Sequence, residues 1–394
     1  MKHVVSISTL YPNAANPRFG TFVARSLEAL ARRGDWRVTV INPIGMPPVA
    51  VGRYRALSEL DELAEEQGVT VHRPRFTLIP KVGARRNAMA IAKAVIPLAK
   101  RIHAENPVDL IDAQFFFPDG PAAAMVAETL DLPLTIKARG SDITHWGSHD
   151  HARAQMLEAA NAATGLLAVS EALKADMTAL GMPEEKITVH YTGLDRDRFR
   201  PLDHTQLRSQ VGQALSFDLP DNAPMLVSVG ALIERKGQAH VIAALPSIPG
   251  ARLVLVGKGE DEAKLRALAS ECGVSDRVHF TGAIDHDLLP LILSAADVMV
   301  LPTSNEGLAN AWVEALACGT PVVTSDVGGA REIITDDVAG RLLEEPSAEA
   351  VAAAVNTVLN APPDRMEVAA RAEPFDWETH AEALAAHFEK LTRG

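Results

Sequence analysis

The chain has 394 residues, more than one hydrophobic core usually organises, so two domains are expected. Apolar residues make up 47% of it and aromatic residues only 5%, a balance that suits an α/β protein with close helix-on-sheet packing. The formal charge of −12 is uneven: residues 1–200 carry 24 Lys and Arg against 22 Asp and Glu, and the remainder 14 against 28, which disfavours a nucleic-acid partner and makes the first half the one to meet anionic surfaces.

Short β-branched runs alternate with helical segments along nearly the whole chain. In the first half, strands are predicted at His3–Ser8, Arg37–Ile41, Thr70–Arg73, Leu110–Ala113, Leu134–Lys137, Gly165–Val169 and Ile187–His190. Between them lie predicted helices at Thr21–Arg33, Asn87–Ala104, Pro121–Thr129, His151–Ala162 and Glu171–Leu180. The second half repeats the order, with strands at Pro224–Val229, Arg252–Val256, Val278–Thr281, Val298–Leu301, Pro321–Ser325 and Gly340–Leu342. Its predicted helices include Gly237–Leu245, Glu260–Glu271, Leu288–Ser294 and Ala348–Asn360. Repeated βα units imply mainly parallel sheets covered on both faces. The apolar pattern breaks between Thr192 and Pro201, so two doubly wound domains joined there are expected. Ligands of such sheets bind beyond the carboxyl ends of the strands, which predicts one interdomain cleft.

Only Cys272 and Cys318 are present, without metal-ligand spacing, so neither a disulfide framework nor a metal site is expected. The stretch Met1–Thr9 is too short and mixed for a signal peptide, and no run of about 18 apolar residues could span a membrane. A cytoplasmic protein is the expectation. His145, His149 and His151 cluster, but their spacing fits no zinc motif.

The most informative stretch is Glu306-Gly307-Leu308-Ala309-Asn310-Ala311-Trp312-Val313-Glu314, continuing to Cys318-Gly319-Thr320-Pro321. Good helix formers from Leu308 to Cys318, stopped by Gly319 and Pro321, predict a helix with Glu306 at its entrance and Glu314 inside it. If both were helical, eight steps of roughly 100° would leave them about 80° and about 12 Å apart. That excludes one compact acid/base pair but suits a long ligand. Its anionic middle would meet free N–H groups of Gly307, Leu308 and Ala309 at the helix start. A nucleotide-sugar has that shape. Upstream, Gly230-Ala231-Leu232-Ile233-Glu234-Arg235-Lys236-Gly237 follows a strand and opens a helix, so Arg235 and Lys236 can clamp a diphosphate. A solvated turn and a solvated helix face are the plainer readings of the two stretches.

Taken together, these stretches resemble the donor-site motifs of retaining glycosyltransferases of family four. The likeness extends through Pro17-Arg18-Phe19-Gly20-Thr21, Phe117-Pro118-Asp119-Gly120 and Arg139-Gly140-Ser141-Asp142-Ile143 to Val327–Ile334 and Phe375-Asp376-Trp377. It implies a GT-B fold: two doubly wound Rossmann-like domains, 1–192 for the acceptor and 193–375 for the nucleotide-sugar, facing a cleft, with helix 376–394 packing back on the first. It implies donor contacts from Gly20, Gly230, Arg235, Lys236, Glu306, Gly307, Leu308, Ala309, Asn310 and Glu314. Catalytic roles fall to Glu306, Arg235 and Lys236, and acceptor-side roles to Asp119, Arg139 and Asp142. A hexosyl group would pass from a nucleoside diphosphate sugar to a glycan, lipid-linked or small-molecule acceptor, in cell-surface polysaccharide or glycolipid synthesis, with no cofactor and no metal.

This chain departs from the pattern at Arg139 and Gln114, where many relatives have His, at Ala309 (often Pro) and at Thr192 (often Asn). An anionic acceptor is one consequence of Arg139; a structural Arg paired with Asp142 is the other. Basic and apolar residues interleave from Arg73 to Arg101, including Arg75, Lys81, Arg85, Arg86, Lys93 and Lys100. Such a stretch suits peripheral contact with the inner membrane and equally suits a solvated helix with a core face. Two other classes stay open: a GT-B nucleotide-sugar epimerase, and a non-catalytic sugar-nucleotide-binding protein.

Overall fold

The computed structural model describes residues 1–17, 19–49, 52–78, 86–203, 207–285 and 287–393. The chain divides into two compact units, Met1–Gly193 with Trp377–Gly394, and Leu194–Asp376. Each division lies one residue beyond the boundary expected at 192 and 375. At the second unit's edge the backbone N–H of Leu194 donates to Phe375 O at 2.5 Å, and Leu194 pairs with Asp376, so the two crossing segments join that unit side by side.

In the first unit the strands are β1 (Lys2–Ile7), β2 (Trp36–Ile41), β3 (Ile44–Met46), β4 (Leu63–Glu66), β5 (Val69–His72), β6 (Arg75–Thr77), β7 (Leu110–Ala113), β8 (Leu134–Ala138), β9 (Gly165–Ala168) and β10 (Ile187–Val189). Eight of them form one sheet in the order β10-β9-β8-β7-β1-β2-β5-β4, parallel except for β4. β7, β8 and β9 are buried at every position, and their residues are apolar or Gly apart from Asp112, Thr135 and Lys137. β4 was not predicted, because Asp61-Glu62-Leu63-Ala64-Glu65-Glu66 has little strand propensity; it forms only by antiparallel pairing with β5. β3 and β6, a separate parallel pair, are too short to leave a pattern.

The helix Trp377–Leu391 packs on the Thr21–Arg32 helix, where Leu384, Ala385 and Phe388 meet Val23, Leu27 and Leu30. Trp36 and Phe388 meet edge to face with ring centroids 5.4 Å apart. The helix Asn87–Glu105 runs through Pro97 and buries Ala88, Ile91, Ala92, Val95, Ala99 and Ile102, so its apolar face belongs to the core. Arg86, Met89, Lys93 and Lys100 stay exposed on its outer side, while Lys81 and Arg85, like Arg18, lie outside the described residues. No helix among the described residues is long and apolar enough to cross a membrane.

The second unit holds β11 (Met225–Val229), β12 (Arg252–Val256), β13 (Val278–Gly282), β14 (Val298–Leu301), β15 (Val322–Ser325) and β16 (Gly340–Leu343) in one parallel sheet ordered β13-β12-β11-β14-β15-β16. Helices Arg53–Ser58, Leu207–Leu215 and Arg365–Ala370 were not predicted. Each is short, and the last depends on Asp364, whose side chain accepts from the N–H groups of Met366 and Glu367.

Leu384 is fully buried between elements of the first unit. Leu384→Ala should cost about 3 kcal/mol there. Calorimetry should show the unfolding transition of the first unit lowered and that of the second unchanged.

Candidate active site

At the carboxyl edge of the second sheet, the loop after β11 carries Arg235 and Lys236, and the loop after β14 carries Glu306. Both cations converge on one oxygen, Glu306 Oε1: Lys236 Nζ forms a short ion pair with it, and Arg235 Nη1 stands 3.3 Å away. The Lys236 and Glu306 side chains are only 11% and 14% exposed, whereas Arg235 is 48% exposed. The Lys236 stem crosses over Gly230, where an added Cβ would meet Lys236 Cε at 3.6 Å. Backbone bonds lock the two loops together. Arg235 Nη1 donates to Asn305 O at 2.8 Å, and Arg235 O accepts from Ser304 N at 2.8 Å and Thr303 Oγ1 at 3.0 Å. From the far side, Gly328 approaches so closely that a Cβ would lie 1.7 Å from Glu306 O, and its φ of +52° is strained for other residues. Gly329 N donates to Gly307 O at 2.7 Å.

That packing corrects the predicted helix. It begins at Asn310, not Leu308, with Ala309 in extended conformation at its cap. Gly307, Leu308 and Ala309 therefore precede the helix in a pinned loop, and their N–H groups are not its free first turn. Glu314 lies within the helix, partly buried, and burial pushes its carboxyl up to about 7. Arg198 opposes the shift, but its guanidinium is engaged with Asp287 at 2.5 Å.

In the first unit, Gly20 caps the Thr21–Arg32 helix at φ +71°, and a Cβ there would lie 2.4 Å from Leu10 O, so close packing alone demands glycine. Asp119 accepts from Thr9 N and Thr9 Oγ1, both at 2.8 Å, tying the loop after β1 to the Asp119–Leu130 helix; burial raises its carboxyl to about 7. Asp142 accepts from the N–H groups of Phe116, Arg139 and Gly140 at 2.8 to 2.9 Å, joining the loops after β7 and β8. The Arg139 side chain instead turns to Gln114. Nε donates to Gln114 O at 3.1 Å, Nη2 donates to Gln114 Oε1, and the guanidinium lies 4.9 Å from the Phe22 ring centroid. Arg139 and Gln114, two separate departures in sequence, are thus one coupled pair. Gln114 also donates to Asp112 Oδ2 at 2.7 Å, which accepts from Ser6 Oγ at 2.6 Å.

A second buried chain was missed. Lys137 Nζ bonds His190 Nδ1 at 2.7 Å, His190 Nε2 meets His380 O at 3.0 Å, and His380 Nε2 meets Ser26 Oγ at 2.6 Å. Burial holds Lys137, His190 and His380 well below their ordinary values. A lysine between the apolar neighbours Ile136 and Ala138 in Leu134-Thr135-Ile136-Lys137-Ala138 was the available signal.

Two family models cover most of the chain: Glycosyltransferase Family 4 matches residues 19–198, and Glycosyl transferases group 1 matches residues 215–374. The putative teichuronic acid biosynthesis glycosyltransferase TuaC of Bacillus subtilis is 27% identical over 406 aligned residues, covering 99% of both chains. A GDP-mannose-dependent alpha-(1-6)-phosphatidylinositol monomannoside mannosyltransferase of Mycobacterium tuberculosis is 36% identical over 217 residues, 51% of this chain and 54% of that protein, so the chain matches about half of that relative's length. Among solved structures, sucrose-phosphate synthase from Thermosynechococcus elongatus superposes with a TM-score of 0.78 at 22% identity, covering 99% of each chain. HepE of Anabaena, solved with UDP, gives 0.74 at 23%, covering 99% and 100%. The fold is GT-B, the two-domain architecture of sugar-transferring enzymes. The chain belongs to the family-four glycosyltransferases and is a glycosyltransferase.

The raised Glu314 carboxyl has a stability consequence. Between the unfolded value near 4.5 and the folded value of about 7, the native state binds more protons, so stability falls as pH rises through that window. Glu314→Gln should match the parent protein at about pH 5 and melt higher than it at about pH 8, as read by thermal unfolding in the two buffers.

Proposed function

We propose that this enzyme is a retaining hexosyltransferase whose second unit holds a nucleoside diphosphate sugar and whose first unit holds a glycan or lipid-linked acceptor of surface polysaccharide or glycolipid synthesis. The observation that carries the reading is the pair of cations on Glu306 Oε1, with Glu314 eight residues further on in the helix that follows. TuaC is named for teichuronic acid biosynthesis, the mycobacterial relative for GDP-mannose, and HepE is solved with UDP-glucose; these names support a nucleotide-sugar donor.

In this reading the donor diphosphate takes over Lys236 and Arg235 and displaces the Glu306 carboxylate, which turns to the sugar. Glu314 accepts from the ribose hydroxyls. The bond from the anomeric carbon to the phosphate oxygen breaks, positive charge develops on the sugar, and the two cations stabilise the departing diphosphate. The acceptor oxygen bonds the anomeric carbon on the same face while its proton passes to that phosphate, so configuration is retained. Charge that a metal would otherwise supply comes from the two side chains.

A panel including UDP-glucose and GDP-mannose, followed for nucleotide release and product mass, tests the reading. Transfer to an added acceptor supports it. Free nucleotide with a 2-epimer and no acceptor product would make the protein an epimerase, and release of no nucleotide would remove the transfer reading. Activity should persist in excess chelator; strict dependence on added magnesium or manganese would show that Arg235 and Lys236 do not suffice.

Glu306→Gln separates the two roles of that carboxylate. Removing the competing anion should tighten nucleoside diphosphate binding by about threefold or more, because a larger fraction of the cations is free to bind. Turnover should fall by about a hundredfold, for want of charge beside the reacting sugar. Calorimetry and steady-state kinetics measure the two effects; full activity would remove Glu306 from the site.

A further inference from the structure

The histidines clustered in sequence have no role in the donor chemistry, yet the fold builds them into a surface. His145, Trp146, His149 and His151 form one run of rings that meet edge to face or tilted, at 47° to 79°, so each offers its own face: centroids lie 5.1 Å apart for His145 and Trp146, 4.9 Å for His145 and His149, 5.6 Å for Trp146 and His149, and 6.0 Å for His149 and His151. Phe117, fully buried, supports the run from below at 5.1 Å from Trp146 and 6.3 Å from His151. His145 is exposed, and Trp146, His149 and His151 are half-buried.

The platform has a fixed place and a fixed shape. It follows the Arg139–Asp142 loop at the carboxyl end of β8, and Phe117 lies in the loop at the carboxyl end of β7, the edge where parallel sheets take their ligands. The Asp142 carboxylate bonds both loops. His149 N donates to Trp146 O at 3.0 Å, His149 Nδ1 meets His145 O at 2.9 Å, and Gly147 rests on Leu180. A surface already ordered before binding loses little conformational freedom on binding.

We propose that this platform is an acceptor subsite that stacks a neutral sugar ring; the proposal rests on the transferase reading for the sugar's origin. One face of a pyranose presents polarised C–H groups that suit the negative face of an indole or imidazole ring. Its hydroxyls project from the rim, where the exposed His145 imidazole can both donate and accept, and Ser141, Thr144 and Ser148 stand exposed around the run. Asp150 and Arg153, both exposed there, offset each other, so the rim lacks the cluster of cations that docks an anionic lipid surface.

The test uses saturation-transfer NMR on the full-length protein with maltotriose, cellotriose and chitotriose as probes. At least one should receive saturation at its ring C–H groups. Trp146→Ala should weaken that binding by about fivefold or more, and Trp146→Phe should largely retain it. His145→Ala, which alters an exposed ring, should weaken it in a protein whose folding is not in question. Nucleoside diphosphate affinity should be unchanged in all three variants. The proposal is overturned if no probe binds, if Trp146→Ala and His145→Ala bind as the parent does, or if anionic vesicles rather than sugars protect Trp146 from fluorescence quenching. Sugar binding without any nucleoside diphosphate binding would instead overturn the donor reading and leave the platform standing.

Discussion

A single carboxylate oxygen shared by two cations organises the carboxyl edge of the second unit's sheet. Lys236 and Glu306 are nearly buried, and a charge in such a place is tolerated only when paired, so the loops that carry them are held to one separation. The rest of the local structure serves that separation. Arg235 O is tied to Thr303 and Ser304, Arg235 Nη1 to Asn305 O, and Gly328 and Gly329 pack against the backbone of Glu306 and Gly307. The same packing denies Gly307 to Ala309 a helical path and delays the helix to Asn310. Any anion entering the site meets cations already engaged, so its affinity reports a competition with Glu306 as much as an attraction.

The first unit solves a different problem. Asp112 and Lys137 in its sheet and His190 just beyond β10 are buried, and they enter chains of hydrogen bonds rather than close opposite charges, with Asp112 Oδ1 left without a partner. One chain runs from Ser6 through Asp112 and Gln114 to Arg139, holding a guanidinium at the strand ends. The other runs from Lys137 through His190 and His380 to Ser26, so the C-terminal helix is joined to the sheet by polar bonds as well as by Leu384 and Phe388. Such networks are worth most when complete, which makes the register of that helix specific. Asp142, with three backbone donors, holds the loops that carry both Arg139 and the aromatic platform.

The alternation of strands and helices was legible in the residues, because parallel strands covered on both faces are mostly apolar and leave a strong local pattern. Leu110–Ala113, Arg252–Val256 and Val298–Leu301 stand where that pattern puts them. The charged edge strand Leu63–Glu66 was not legible, since its strand state comes from its neighbour and not from its own side chains. Arg235, Lys236 and Glu306 were legible as residue types and as an order along the chain. Their meeting was not: Lys236 and Glu306 are 70 positions apart, Arg139 and Gln114 are 25, and His380 reaches Ser26 across 354. Local sequence carries period, capping and chain-breaking signals, and these decided the βα order and its punctuation by glycine and proline. Which charges share an oxygen, which departures form a pair and which rings touch depended on strand order and loop packing, because contacts between distant positions exist only once each sheet has brought the carboxyl ends of its own strands together.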